Sequence, residues 1–206
     1  MENSFIDSYE KATPFFYWFS KLFESKARDK SLDLSGLKNG YSILIIAPPT
    51  EFYIHKLLES NSEGENHLIY FSDQMKARLE KRLLGNIAYI AGVGSIEDFP
   101  YESDKFDVVF AYCYLDFLEA EERKIALEEI RRVLRFGGRL LTTYLSRPDN
   151  LVQRVCVNIF TRYRFLSQGV KIIQVESLLK QTQFKKVDIL HCSQKGFSVD
   201  LAYAEK

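Results

Sequence analysis

The sequence predicts an α/β domain on a mostly parallel sheet, and three observations carry that prediction. Short apolar runs of strand length recur from residue 42 onward, and stretches with helical spacing alternate with them. Such alternation implies βαβ units, which bury a parallel sheet between helices. The last two apolar runs are instead joined by only "SQKG", so the sheet ends antiparallel. With 206 residues, 46% hydrophobic and 27% charged, the chain suits one globular domain spanning 1–206.

The elements follow in order. Ser42–Ala47 is a first strand, followed by a helix from Thr50 to Ser60. His67–Phe71 is a second strand, with the helical pattern "SDQMKARLEKRLL" behind it. Asn86–Val93 and Phe106–Cys113 continue the series. In "EAEERKIALEEIRRVLR", Ile125, Leu127, Ile130, Val133 and Leu134 recur near helical spacing. Gly137–Leu145 is a fifth strand, its opening glycines read as the helix stop. "QVESLLKQTQF" reads as a helix, and "KKVDILHC" and "FSVDLAYAE" as the closing strands.

Two pieces lie outside this scheme. Residues 1–40 lead in with a helix that puts Phe15, Phe19, Leu22 and Phe23 on one face. Residues 147–171 form a helical insert in which Leu151, Val152, Val155, Ile159 and Phe160 alternate with arginines. A basic amphipathic helix of this kind suits peripheral membrane contact, and equally a cover over a site.

The bulk numbers exclude several classes. Lys plus Arg and Asp plus Glu both total 28, so no global charge favours nucleic acid. Cys113, Cys156 and Cys192 form no C-x-x-C pair, and His55, His67 and His191 show no ligand spacing, so no metal is expected. The N-terminus lacks a signal-peptide pattern, and no apolar run is long enough to span a bilayer. The expected location is the cytoplasm.

Three phrases then resemble a known family. "SIEDFPYESDKFDVVFAYCYLDFL", "ALEEIRRVLRFGGRLLTTYL" and "VESLLKQTQFKKVDIL" are similar to the class I S-adenosylmethionine-dependent methyltransferases. Within them the chain resembles the group acting on small lipophilic molecules that includes ubiquinone/menaquinone C-methyltransferases. "YEKATPFFYWFSKLF" is similar to that group's lead-in helix. The resemblance implies a Rossmann-like, doubly wound, seven-stranded sheet with helices on both faces and an antiparallel C-terminal hairpin. It implies S-adenosylmethionine as cofactor, and a small lipophilic substrate.

The family's cofactor positions are altered at three places. Aligned on strand one and the turn after it, Ile45 stands at the usual acidic position and Ala47, Pro49 and Glu51 at the three usual glycines, with Pro48 and Thr50 between them. That turn works through residues without Cβ and through backbone N–H groups, whereas proline has no N–H and a fixed φ. Tyr70 stands at the acidic position that takes the ribose hydroxyls, offering one hydroxyl in place of a carboxylate. Ser95, with Ile96 beside it, stands where an Asp usually meets the adenine amine. Tyr112, at the end of strand four, completes the set of cofactor positions.

For substrate contact the candidates are Tyr9 and Phe16 in the lead-in and Tyr114 and Phe117 after strand four, with Asp116 as the candidate base. Asp107 reads as a structural strand-start residue. Two functional readings stand side by side: a methyltransferase with a rebuilt cofactor pocket, or a non-catalytic binding or assembly protein of the same fold. The second carries a corollary, a cleft filled by bulky side chains such as Phe52, Tyr53 and Tyr70.

Overall fold

The computed structural model describes residues 20–46, 51–71, 73, 76–77, 90–162 and 171–206. The strands are β1 (Ser42–Ile46), β2 (Glu65–Tyr70), β3 (Ile90–Val93), β4 (Phe106–Tyr112), β5 (Leu134–Leu145), β6 (Lys185–Leu190), β7 (Ser193–Gln194) and β8 (Phe197–Glu205). The helices are α1 (Ser25–Ser35), α2 (Glu51–Ser60), α3 (Ala120–Val133), α4 (Leu151–Arg162) and α5 (Val175–Gln181). A π-helical turn (Ser20–Glu24) leads into α1, and a 3-10 turn (Leu115–Phe117) follows β4.

Seven strands run in the order 3-2-1-4-5-8-6, and the two-residue β7 pairs with β8 off this path. The pairs from β3 through β5 are parallel, with Ile43 opposite Asn66 on one side and Val108 on the other. β8 is antiparallel to both β5 and β6. The central strands are buried on both faces, β4 along its whole length, which is why they read as continuous apolar runs. Between β1 and β4 the winding reverses, and the carboxyl ends of those strands flank a crevice where open α/β sheets place ligands.

Local chemistry explains the helices. Glu119 and Glu122 form a reciprocal capping box at the start of α3, with Arg131 and Arg132 in its last turn. α3 buries Ala126, Leu127, Ile130 and Val133, one stripe at helical spacing. α1 is different, because its buried face is Ala27, Arg28, Ser31 and Ser35. It ends at Gly36 in the left-handed region, φ 55°.

Three details differ from the sequence reading. The glycines of "RFGG" do not stop α3, which ends at Val133. β5 begins at once with Leu134 opposite Phe106, and Gly137 (φ 73°) sits in an irregularity of that strand. The closing hairpin turns on Lys195 and Gly196 alone, both at positive φ, because Ser193 and Gln194 already pair with β8. In α4, Leu151, Val152 and Val155 are exposed, while Gln153 and Val157 face inward. Gln153 is held there by Ser193 Oγ and the Asp149 amide, at 2.9 and 2.7 Å. Asp107 is structural as read: Oδ2 accepts the Ser42 amide at 2.8 Å and Oδ1 pairs with Arg135. Among the described residues no helix is long and apolar enough to cross a membrane.

Candidate functional site

The crevice at the carboxyl ends of β1, β2 and β4 is where the sequence places a cofactor. Ala47, Pro48, Pro49 and Thr50 lie outside the described residues, as do Tyr9 and Phe16. The walls of the crevice are described.

Four tyrosines crowd this edge, and Tyr53, Tyr70, Tyr112 and Tyr114 are all buried. Tyr70 ends β2 at zero exposure, its carbonyl accepting the Gly94 amide at 2.9 Å. The next residue, Phe71, stacks its ring on Tyr114, with centroids 5.3 Å apart and planes within 3°. Because β2 and β4 flank β1, this stack joins the carboxyl ends of the strands on either side of it. Tyr112 meets Tyr53 edge-on at 5.4 Å, and its hydroxyl bonds Ser31 Oγ at 2.6 Å. Burial pushes the Tyr112 and Tyr114 phenols well above their ordinary range, so neither ionises near neutral pH.

α1 closes the same edge with a buried ion pair. Glu24 and Arg28, one turn apart, are 0% and 3% exposed. Glu24 Oε2 accepts from Arg28 Nε at 2.9 Å and Nη2 at 2.5 Å, and Oε1 accepts the Cys113 thiol at 2.5 Å. The guanidinium lies 4.9 Å from the Tyr112 ring centroid, and the Arg28 carbonyl accepts the Tyr53 hydroxyl. Burial alone would lower the Arg28 pKa, but Glu24, Cys113 and Tyr112 together outweigh that and hold it raised. Burial and then Glu24 push the Cys113 thiol up, so it is no thiolate nucleophile. Cys113 takes φ 48°, and its amide is held by the Thr143 carbonyl at 2.9 Å and hydroxyl at 3.2 Å.

The remaining candidates also serve the fold. Ser95 Oγ accepts the Asp98 amide at 3.1 Å in a turn, and Ile96 is buried. Asp73, Glu97 and Asp98 face solvent. Asp116 is 0% exposed, and Phe117 is buried beside it. Asp116 Oδ1 accepts the Leu145 amide at 2.7 Å, and its main-chain carbonyl accepts the Lys171 amide at 2.9 Å. Burial raises its carboxyl well above the usual range, against the pull of the Leu145 amide. The carboxyl, fully buried, ties the 3-10 turn after β4 to β5.

The sequence reading found the tyrosines but missed Glu24, Arg28, Ser31 and Phe71. The Glu24-x-x-x-Arg28 spacing was a signal, since i,i+4 opposite charges pair on a helix, but such pairs are ordinarily solvated. Among the described residues no cluster of His, Cys, Asp and Glu could hold a metal ion.

A family model described as a methyltransferase domain matches residues 53–142. The ubiquinone/menaquinone biosynthesis C-methyltransferase UbiE of Pasteurella multocida is 27% identical over 172 residues, 73% of this chain and 63% of that protein. That of Ectopseudomonas mendocina is 27% identical over 173 residues, 73% of this chain and 66% of its own. The match thus spans just under two thirds of these relatives. Among solved structures, a SAM-dependent methyltransferase from Aquifex aeolicus aligns with TM-score 0.65 at 18% identity, covering 90% of this chain and 91% of its own. The [4+2]-cyclase SpnF aligns with TM-score 0.72 at 15% identity, covering 98% and 94%.

Proposed function

We propose that this chain, built on the fold of the class I S-adenosylmethionine-dependent methyltransferases, is a non-catalytic binding protein that does not take the cofactor in that family's usual pose. One observation carries the reading: the buried Phe71–Tyr114 stack bridges the strands on either side of β1, where an extended cofactor would need open space. The chemistry of the walls supports it. A nucleoside needs acceptors for its ribose hydroxyls and donors or acceptors for its base. The residues at those positions are an aromatic ring at Tyr70, an aliphatic side chain at Ile96, and a serine already used by its own turn. The nearby carboxylates Asp73, Glu97 and Asp98 are exposed to solvent. Asp116, the candidate base, serves as a buried anchor.

Such a role is compatible with the fold, because fold and activity are separable. The neighbour SpnF is titled a cyclase, although other neighbours of this fold are titled methyltransferases.

Calorimetric titration of the full chain with S-adenosylmethionine and with S-adenosylhomocysteine tests the proposal. It predicts no heat of binding with either compound at millimolar concentration. Micromolar binding of either would overturn it and restore the reading of an enzyme with a rebuilt pocket.

A further inference from the structure

A surface helix ordinarily buries its apolar stripe and gives its polar face to water. α4 does the reverse along its first two turns. Gln153 and Val157 are buried, while Leu151, Val152 and Val155 are 72%, 66% and 50% exposed. At about 100° per residue, those three positions gather around a direction nearly opposite the buried pair. Single exposed aliphatics are commonplace, but three on one outward face make a patch. The bonds from Gln153 to Ser193 Oγ and the Asp149 amide fix this rotation, so the helix cannot roll the patch inward without breaking them.

The margin of the patch is basic. Arg154 within the helix and Arg147 just before it are both exposed, and Asp149 is the single acidic residue between 147 and 162. The closing hairpin abuts the same helix. A Cβ on Gly196 would meet Cys156 Sγ at 3.0 Å and Val152 Cγ1 at 3.9 Å, and the neighbouring Lys195 is exposed. Beside that tip, Gln194 holds the start of α1, accepting the Lys26 amide at 3.1 Å and donating to the Leu22 carbonyl at 2.8 Å. Lys26 is exposed as well, and Leu22 is 37% exposed. Asp29, further along α1, is already compensated by Lys56.

We propose that this corner of the molecule docks on an anionic lipid bilayer, with Leu151, Val152 and Val155 entering the boundary between headgroups and acyl chains and Arg147, Arg154, Lys195 and Lys26 meeting lipid phosphates. An apolar helix face with cations at its margin matches that surface in both respects. At 12 residues α4 is too short to span a bilayer, so it lies in the interface. A second copy is the poorer occupant, because a two-fold contact sets these cations against the same cations. A nucleic acid would take the cations and leave the three aliphatic side chains in water. The docking does not depend on whether S-adenosylmethionine binds elsewhere.

Co-sedimentation of the full chain with extruded vesicles tests this. Vesicles of equal parts phosphatidylglycerol and phosphatidylcholine should carry the chain down, and phosphatidylcholine alone should bind it at least about tenfold more weakly. Rising salt should weaken the binding to the anionic vesicles. Leu151→Ser with Val155→Ser alters only exposed positions and should weaken it by about tenfold or more. Arg154→Gln should weaken it by about fivefold. Circular dichroism melts check that the variants keep the fold. No binding to anionic vesicles would overturn the proposal, and so would equal binding to neutral ones. Binding undiminished in the double variant would overturn it too, by moving the contact elsewhere. So would a dimer of the free chain in sedimentation velocity that the double variant dissociates, since a second copy would then cover the patch.

Discussion

Glu24→Gln isolates what holds the closed edge of the sheet together. The substitution keeps the side chain's shape, so no cavity opens, but removes the charge that compensates Arg28. Both residues are buried, and Glu24 takes three donors, at 2.9, 2.5 and 2.5 Å. Breaking a buried pair from one side costs about 3–5 kcal/mol, because the remaining charge stays desolvated. For a chain of 206 residues each kcal/mol moves the midpoint by about 2–4 °C, so Tm should fall by roughly 6–20 °C. Replacing both partners, as Glu24→Leu with Arg28→Met, should restore most of the loss. The control is the exposed Lys56–Asp29 pair, also at 2.5 Å, where Asp29→Asn should cost less than about 1 kcal/mol. Thermal and urea unfolding followed by circular dichroism read all four proteins. The reasoning fails if Glu24→Gln costs no more than Asp29→Asn, or if the double variant is as unstable as the single ones.

Three further outcomes follow from the same geometry. Phe71→Ala removes a buried ring from the stack and should cost about 3–5 kcal/mol in urea unfolding; a loss under about 1 kcal/mol would mean the stack is not core. Gly36→Ala places a Cβ at φ 55°, 2.5 Å from Arg139 Nη1, and should lower stability by about 1–2 kcal/mol, with an unchanged midpoint as the contrary result. His67 is 2% exposed, and burial with Lys105 holds its pKa below the ordinary 6.5. The unfolded chain therefore takes up a proton that the folded chain refuses, so this contribution is present above pH 6.5 and is lost as pH falls from there toward the folded pKa. His67→Gln should flatten the stability–pH curve in that window; an unaltered slope would refute it.

Periodicity made the sheet legible. Runs such as Ile43–Ile46 and Val108–Tyr112 are buried on both faces, and α3 carries both its stripe and its capping box in the sequence. Contacts between distant residues were not legible. Phe71 read as the end of a strand and Tyr114 as a substrate-contact candidate, and only the parallel placement of β2 and β4 on either side of β1 brings their rings together. Glu24 and Arg28 went unread because their i,i+4 spacing carries no burial information. Gly137 and Gly138 misled for a local reason: a glycine after a helix usually ends it, but here Leu134 is already extended and Gly137 serves an irregularity in β5. In α4 the apolar stripe suggested an inward face. Gln153 takes that face instead, because its amide accepts from the Asp149 backbone N–H and donates to the Ser193 hydroxyl, as no leucine could.

The most direct test of the account is a crystal structure grown with excess S-adenosylhomocysteine. The account predicts an intact Phe71–Tyr114 stack with no nucleoside at the carboxyl ends of β1 and β2. Density for the compound between those two rings, with Tyr114 swung aside, would contradict it.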